Sequence, residues 1–205
     1  MFLQNLRTQT ASCHTALERN PYSKALLSPQ VTLKDYSVYL QKLYGFVQGF
    51  EQKVYPLLLP FDAAIDKRLK THLLQSDLSL LNCNIKNIPL VPEEIFKVHY
   101  TTTAAALGGL YVLEGSVMGG IIIKKHLQQN LGETINDKMK YFTAYGVTTG
   151  TVWKSFLYML CDAATSSGIE VEIINSAVQT FKLIDNWITS ATINNFEHEH
   201  QEPGK

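Results

Sequence analysis

Apolar residues recur along this chain at spacings of three, four and seven positions, which place them on one face of an α-helix. The first such stripe comprises Leu3, Leu6, Cys13 and Leu17. It predicts an amphipathic helix that ends near Asn20-Pro21. A second helix is predicted to begin at Thr32, because Asp35 three residues later completes a capping box. Its apolar stripe continues to Val54, and Pro56 ends it.

The rest of the chain also favours helices. A shorter helix is predicted from Ala63 to Leu81, and Pro92 is suited to the first turn of another. From Glu93 to Asn130 only glycine interrupts the helical pattern. A straight helix of that length would span about 55 Å, too long for a compact domain of this size, so a bend is predicted at the glycines.

Two more helices are predicted, at 149–166 and 169–193. No strong β-hairpin pattern or repeat competes with them. The sequence therefore predicts one all-α domain of seven or eight helices over residues 1–193, followed by a polar, flexible tail at 194–205.

Composition and charge exclude several classes of protein. The chain has 205 residues, and its 18 basic residues balance 18 acidic ones, so no nucleic-acid or anionic-membrane partner is expected. Its three cysteines have no paired spacing, which favours reduced thiols. The N-terminus lacks the pattern of a signal peptide, and no apolar run is as long as a membrane span. A soluble cytoplasmic protein is expected.

The segment Leu107–Gly120 holds five glycines within a helical pattern. Each costs about 0.5–1 kcal/mol relative to alanine in a helix interior, so they need a physical reason. One explanation is a flat, bulky ligand that lies directly against the backbone. The other is close packing of neighbouring helices through small residues. The segment by itself favours neither.

His14 shares one face of the first helix with three polar residues, namely Arg7, Thr10 and Glu18. A histidine that binds a metal usually donates its other ring N–H to an acceptor, and Glu18 is placed to be that acceptor. Arg7 lies about 10 Å away along the helix axis, the distance from a haem iron to its propionates. The alternative is an ordinary surface His–Glu pair.

Several segments together carry a family resemblance. They are residues 7–18, Leu107–Gly120, Tyr141–Gly146 with Trp153 and Phe156, and Thr180–Leu183 with Trp187. In this order they resemble the haem oxygenase family, in particular the bacterial branch that supplies phytochrome chromophores. The resemblance implies an all-α fold in which haem lies between the first helix and a distal helix kinked at glycines.

Site residues follow from the resemblance by position. His14 is implied as the axial ligand of the haem iron, with Glu18 beside it and Thr10 in the same proximal motif. Arg7 matches a basic residue that pairs with a propionate, and Lys154 is a candidate for the second propionate. The glycines that let the distal backbone approach haem are matched by Gly115, Gly119 and Gly120.

One position departs from many family members. Ser116 stands where they have an aspartate that organises distal water molecules, although the branch with a Leu-Glu-Gly-Ser pattern shares this serine. A serine can orient a water, but it cannot act as a carboxylate. The proton route therefore stays open.

The activity implied is O2-dependent cleavage of haem, at once substrate and cofactor, to biliverdin, CO and ferrous iron. Electrons would come from a ferredoxin or a flavin reductase, and a bacterial phytochrome could accept the biliverdin. A haem carrier, storage protein or sensor without turnover fits His14, Glu18 and Arg7 equally well.

Two other chemistries are weighed against these. Thiamin-related hydrolysis on a similar architecture would need a nucleophilic cysteine, and no cysteine here has a basic neighbour suited to that task. Di-iron carboxylate chemistry would need paired Glu-x-x-His motifs, which the chain lacks. His72, His99 and His126 are interpreted as ordinary helix residues, and His198-Glu199-His200 as part of a solvated tail.

Overall fold

The computed structural model describes residues 1–192, which form eight α-helices and no strand. The helices are α1 Phe2–Arg19, α2 Pro21–Leu26, α3 Leu33–Lys53, α4 Thr71–Leu80, α5 Glu93–His99, α6 Thr103–Leu131, α7 Thr149–Ala163 and α8 Ser167–Ser190. Short 3-10 turns connect several of them. The all-α prediction is confirmed over this range. The tail at 194–205, with its His198-Glu199-His200 cluster, lies outside the described residues.

Local signals fix the ends of the first helices. The predicted capping box of α3 is present, since Asp35 N donates to Thr32 Oγ1 at 3.1 Å and Thr32 N donates to Asp35 Oδ2 at 2.9 Å. Between α1 and α2, Asn20 caps α2 and Pro21 occupies its first turn. The Asn20 amide also donates to the Asp185 carboxylate at 2.8 Å, which ties this corner to α8.

Two predicted helices are interrupted in the structure. The one expected from Ala63 to Leu81 divides into a 3-10 turn at Ile65–Arg68 and helix α4. The helical segment expected from Glu93 to Asn130, with its one bend at the glycines, is also divided, because the chain leaves helical conformation between α5 and α6.

The break between α5 and α6 has a clear physical cause. Thr102 caps α6 by accepting from Ala105 N at 3.1 Å, and Tyr100 turns into the core to meet Thr180 at 2.7 Å. The 29-residue α6 is shorter than the segment on which the length argument rested, and it is helical through all five glycines until Gly132, where φ is +62°.

Helix α8 is the central support of the fold. Both α6 and α1 pack along it, and α3 adds a further contact. Ser176 on α8 donates to Ala105 O on α6 at 2.6 Å, which draws these two helices close together. Helices α1 and α6 both pack mainly against α8, and a cleft lies between them.

Helix α6 is apolar enough to resemble a membrane span. Over Thr103–Ile135 the mean hydropathy of the best window is 1.6, contrary to the expectation that no apolar run has the required length. However, 61% of that window is buried inside the protein. This burial against α8 and its neighbours is typical of the core helix of a soluble protein.

Candidate active site

A cleft of about 500 Å³ lies between α1 and α6, with α8 at its base. Its lining is mainly apolar and aromatic and comes from α1, α2, α3, α6, α7, α8 and the loop before α7. Its residues include Leu17, Leu26, Tyr39, Leu43, Tyr111, Met118, Ile122, Phe142, Trp153, Phe181 and Ile184. A volume of this size with few polar groups suits a large, flat, mainly apolar ligand.

His14 lies on the α1 wall of the cleft. Its Nδ1 is 3.5 Å from Glu18 Oε1, and each side chain is 60% exposed. The ring also makes an edge contact with Phe181, with centroids 5.7 Å apart. With Nδ1 beside Glu18, Nε2 is the other ring nitrogen of His14 that could bind a metal. The predicted pairing of His14 with Glu18 is therefore present.

Arg7 and Thr10 approach the cleft at Tyr111 on α6. Burial raises the pKa of Tyr111, while the nearby Thr10 hydroxyl and the positive charge of Arg7 oppose that rise. Thr10 is itself buried and donates to Leu6 O at 2.8 Å, whereas Arg7 is exposed. Of these three residues only Tyr111 lines the cleft, and Arg7 and Thr10 lie beside it on α1.

The five glycines of α6 fall into two groups, which match the two explanations that the sequence left open. A Cβ on Gly108 would meet Ser176 at 2.8 Å, one on Gly109 would meet Phe50 at 2.6 Å, and one on Gly120 would meet Phe142 O at 2.7 Å. These three allow close packing. At Gly119, in contrast, a Cβ would meet nothing within 4 Å, and at Gly115 only Trp153 at 3.7 Å.

Gly115 and Gly119 line the cleft, and Gly120 does not. Of the three glycines predicted to approach a ligand, Gly120 is therefore not brought to the cleft, and its bare backbone accommodates Phe142. Lys154 is exposed on α7 and is also absent from the lining, although its neighbour Trp153 belongs to it.

Gly119→Leu is expected to close the cleft without harming the fold. Overpacking costs about 1–3 kcal/mol, which corresponds to a fall in ligand affinity of roughly 5- to 150-fold. The free energy of unfolding should rise by about 0.5–1 kcal/mol, because glycine is a poor helix former. Hemin titration and chemical denaturation measure the two effects.

Gly120→Ala is the matched control, and it is expected to lower the stability of the protein rather than raise it. Its new methyl group meets Phe142 O, so stability should fall by about 1–3 kcal/mol. Unchanged hemin affinity in Gly119→Leu would contradict the placement of Gly119 at the ligand.

Ser116 also lines the cleft, on the same helix as Gly119. Its hydroxyl lies 2.7 Å from Leu113 O and 3.0 Å from the hydroxyl of Tyr141. Tyr141 is fully buried, and burial raises the pKa of its hydroxyl. The sequence had placed Tyr141 only within a segment of family resemblance, without a role.

Behind the cleft, Glu114 is the centre of a buried polar cluster. Its carboxylate accepts from Arg68 at 2.9 Å, from Tyr145 at 2.9 Å and from Lys70, and its side chain is 1% exposed. A second carboxylate, Glu51, accepts from the backbone N–H of Thr71 at 3.2 Å. The cluster fixes α6 to the segment before α4 and to the loop before α7.

Sequence reasoning did not find this cluster or the aromatic lining. Arg68, Lys70 and Tyr145 lie far from Glu114 in the chain. Arg68 and Lys70 belong to no motif, and Tyr145 was placed only within a segment of family resemblance, without a role. The one available signal was Glu114 itself, a charged residue inside the most apolar helix of the protein.

The alternative chemistries gain no support. Burial raises the pKa of the Cys83 thiol, which hydrogen-bonds Ser37, and a raised pKa opposes a nucleophilic role. Within residues 1–192 no group of three or more His, Cys, Asp or Glu side chains is arranged to hold a metal ion. His126 bonds Ser28 O at 2.9 Å, as expected of an ordinary helix residue.

Comparisons with solved structures agree with this geometry. The heme oxygenase of Leptospira interrogans superposes with a TM-score of 0.74 at 18% identity, over 92% of this chain and 98% of that one. Heme oxygenase-1 of Synechocystis, solved in complex with heme, superposes with a TM-score of 0.75 at 16% identity, over 91% of this chain and 90% of that one. The NO- and CO-bound enzyme of Neisseria meningitidis gives 0.74 at 19% identity, over 99% of both chains.

At these identities the superpositions establish the fold, and the family rests on sequence. No curated protein sequence matches the chain significantly. The family model described as Heme oxygenase, however, matches residues 1–190, almost the whole described chain. The chain therefore belongs to the heme oxygenase family, whose members are oxidoreductases that degrade haem to biliverdin.

Proposed function

We propose that this protein binds haem in the cleft between α1 and α6, with His14 as the axial ligand of the iron. The observation that carries the proposal is the pairing of two opposed features in one apolar cleft. His14 lies on the α1 wall with Glu18 at its Nδ1, and the bare backbone of Gly119 forms part of the α6 wall. A planar macrocycle fits between a ligand on one face and open space for O2 on the other.

Each wall would contribute a separate function. Glu18 would accept the Nδ1–H of His14 and make Nε2 a better donor to iron. Gly115 and Gly119 would keep side chains away from the distal face, where O2 has to fit. The iron supplies O2 activation, and the residues supply position, exclusion of bulk water and a narrow distal space.

The haem propionates require cations at the edge of the cleft. Arg7, which approaches Tyr111 at the junction of α1 and α6, is the first candidate. Lys154, exposed beside Trp153, is the second.

Arg7→Ala is expected to change which meso carbon is attacked. An exposed ion pair contributes at most about 1 kcal/mol, so hemin affinity should fall only a few-fold. The haem would be free to rotate in its plane, and the mixture of biliverdin isomers should change on chromatography. Arg19→Ala, at the exposed end of α1, is the control. An identical isomer mixture in Arg7→Ala would remove Arg7 from the propionate site.

The remaining partners are set by the chemistry. As the family resemblance implies, electrons would come from a separate donor such as a ferredoxin or a flavin reductase. Biliverdin could pass to a bacterial phytochrome, and balanced charge with a buried α6 supports a cytoplasmic location.

Turnover of the full chain tests this proposal. One equivalent of hemin is added under air with a ferredoxin, its reductase and NADPH, and the visible spectrum and released CO are followed. A Soret band that decays into biliverdin absorption, with about one CO per haem, is the expected result. A Soret band that persists without CO would indicate a haem carrier or sensor and contradict the proposal.

A further inference from the structure

The hydroxyl groups of Ser116 and Tyr141 form a pair where the cleft meets the buried interior. Ser116 lines the cleft, and Tyr141 lies behind it with no exposed surface. Their oxygen atoms are 3.0 Å apart, and the Ser116 oxygen is 2.7 Å from Leu113 O. Each hydroxyl can donate one hydrogen bond and accept two.

The direction of these hydrogen bonds follows from the partners. Leu113 O can only accept, so the Ser116 hydroxyl donates to it. Among the residues that the structure describes, Ser116 is the only hydrogen-bond partner of the Tyr141 hydroxyl. A buried donor left without a partner is unfavourable, so Tyr141 donates to Ser116 Oγ. One acceptor position on Ser116 remains, and Ser116 borders the cleft.

We propose that Tyr141 is a positioning residue that fixes Ser116 as a hydrogen-bond acceptor, so that Ser116 orders a water on the distal face of the bound haem. The proposal rests on the proposed function, because it requires haem with His14 on the opposite face. Ser116 and Tyr141 together then fulfil part of the task that an aspartate performs elsewhere, without a charge.

The surroundings of Tyr141 hold its hydroxyl in place. Its ring makes an edge contact with Phe142, with the ring centroids 5.3 Å apart. Its backbone N–H donates to the Asp77 carboxylate at 2.9 Å. Burial raises the pKa of Tyr141, so the hydroxyl keeps the proton that it donates. The donor is therefore rigid and stays protonated at neutral pH.

The test uses the ferric haem complex of the full chain. When a water bound opposite the histidine loses a proton, the visible spectrum changes from an acid to an alkaline form. An acceptor such as Ser116 stabilises the water more than the hydroxide, so its loss should lower the pH midpoint. We expect a lower midpoint in Ser116→Ala and in Tyr141→Phe, and no further decrease in the double variant.

Tyr36→Phe is the matched control. Tyr36 is also a buried tyrosine beside Phe142, but its hydroxyl donates to Lys138 O at 2.7 Å and it does not line the cleft. The pH midpoint of Tyr36→Phe should equal that of the unchanged protein. Other titratable groups around Ser116 and Tyr141 stay the same in every variant. They are His14, Glu18, Tyr39 and Tyr111 in the cleft, and Glu51, Asp77 and Glu114 behind it.

A raised midpoint in Ser116→Ala would mean that Ser116 donates toward the cleft, which overturns the proposal. An unchanged midpoint in Tyr141→Phe, with a lowered one in Ser116→Ala, would remove Tyr141 from the pair. Absence of any Soret band would refute the proposed function itself, which distinguishes the two failures.

Denaturation of the haem-free protein gives a second, independent measurement. Ser116→Ala leaves the buried Tyr141 hydroxyl without a partner, and adding Tyr141→Phe removes that hydroxyl. The double variant should therefore recover part of the stability that Ser116→Ala loses. If the stability losses of Ser116→Ala and Tyr141→Phe were strictly additive in the double variant, the hydrogen bond between the two hydroxyls would be contradicted.

Discussion

His14→Ala is expected to abolish nearly all haem turnover while leaving the fold intact. The side chain is 60% exposed and contributes little to the core, so its removal should barely change the free energy of unfolding. Loss of a partner to a metal-bound histidine costs roughly 10- to 100-fold in metal affinity or activity, and loss of the ligand itself should cost more. The Soret maximum of the ferric complex should move as well, because the axial ligand changes.

Two further variants make this result specific. Glu18→Ala removes only the acceptor at Nδ1, so its loss of activity should fall within the roughly 10- to 100-fold range. His72→Ala changes an exposed histidine of α4, and full activity is expected. Added imidazole should restore the Soret position of His14→Ala, because the vacated site is open to solvent. An unchanged spectrum and full turnover in His14→Ala would exclude His14 as the ligand.

Glu114→Gln is expected to cause the largest loss of stability of any single change considered. Glu114 receives Arg68, Lys70 and Tyr145, and its side chain is 1% exposed. Removing its charge leaves the buried Lys70 and the partly buried Arg68 without their shared carboxylate, and Glu51 remains as the other carboxylate near Lys70. Loss of one partner from a buried ion pair costs about 3–5 kcal/mol, which chemical denaturation at neutral pH would measure.

The destabilisation of Glu114→Gln should decrease as the pH rises. Burial already lowers the pKa of Lys70 below its ordinary value of 10.5, and Glu114 opposes that shift. Without Glu114 the folded pKa falls further below the unfolded one, so the unfolded chain binds more protons between the two values. Stability therefore increases with pH toward 10.5 as Lys70 loses its proton.

Glu93→Gln is the matched control for this change. Glu93 also contacts two lysines, Lys53 and Lys97, but it does so on the surface. Solvent screens such pairs, so its stability should remain close to that of the unchanged protein. Equal losses of stability in Glu93→Gln and Glu114→Gln would contradict the claim that burial makes the Glu114 ion pairs important for stability.

Helix existence and the proximal motif could be predicted from sequence because their signals are local. The α3 capping box and the end of α1 each depend on residues within a few positions of one another. The face shared by His14 and Glu18 depends only on helical spacing. For the same reason, the break between α5 and α6 was missed. It depends on Tyr100 reaching Thr180 across the core.

The rest of the site depends on contacts between distant parts of the chain. The Ser116–Tyr141 and Arg68–Glu114 contacts join residues 25 and 46 positions apart, and no periodic pattern predicts them. The glycines of α6 illustrate the same limit. Sequence marked five unusual positions, but only packing separates Gly108, Gly109 and Gly120 from the open Gly119.

The most direct test of the central claim is the position of iron in a crystal of the hemin complex, located by its anomalous scattering. The account predicts one iron within bonding distance of His14 Nε2, between α1 and α6, with Gly119 on the opposite face. Iron bound elsewhere would contradict it, for example in the second cavity beside Lys42 and Ala191.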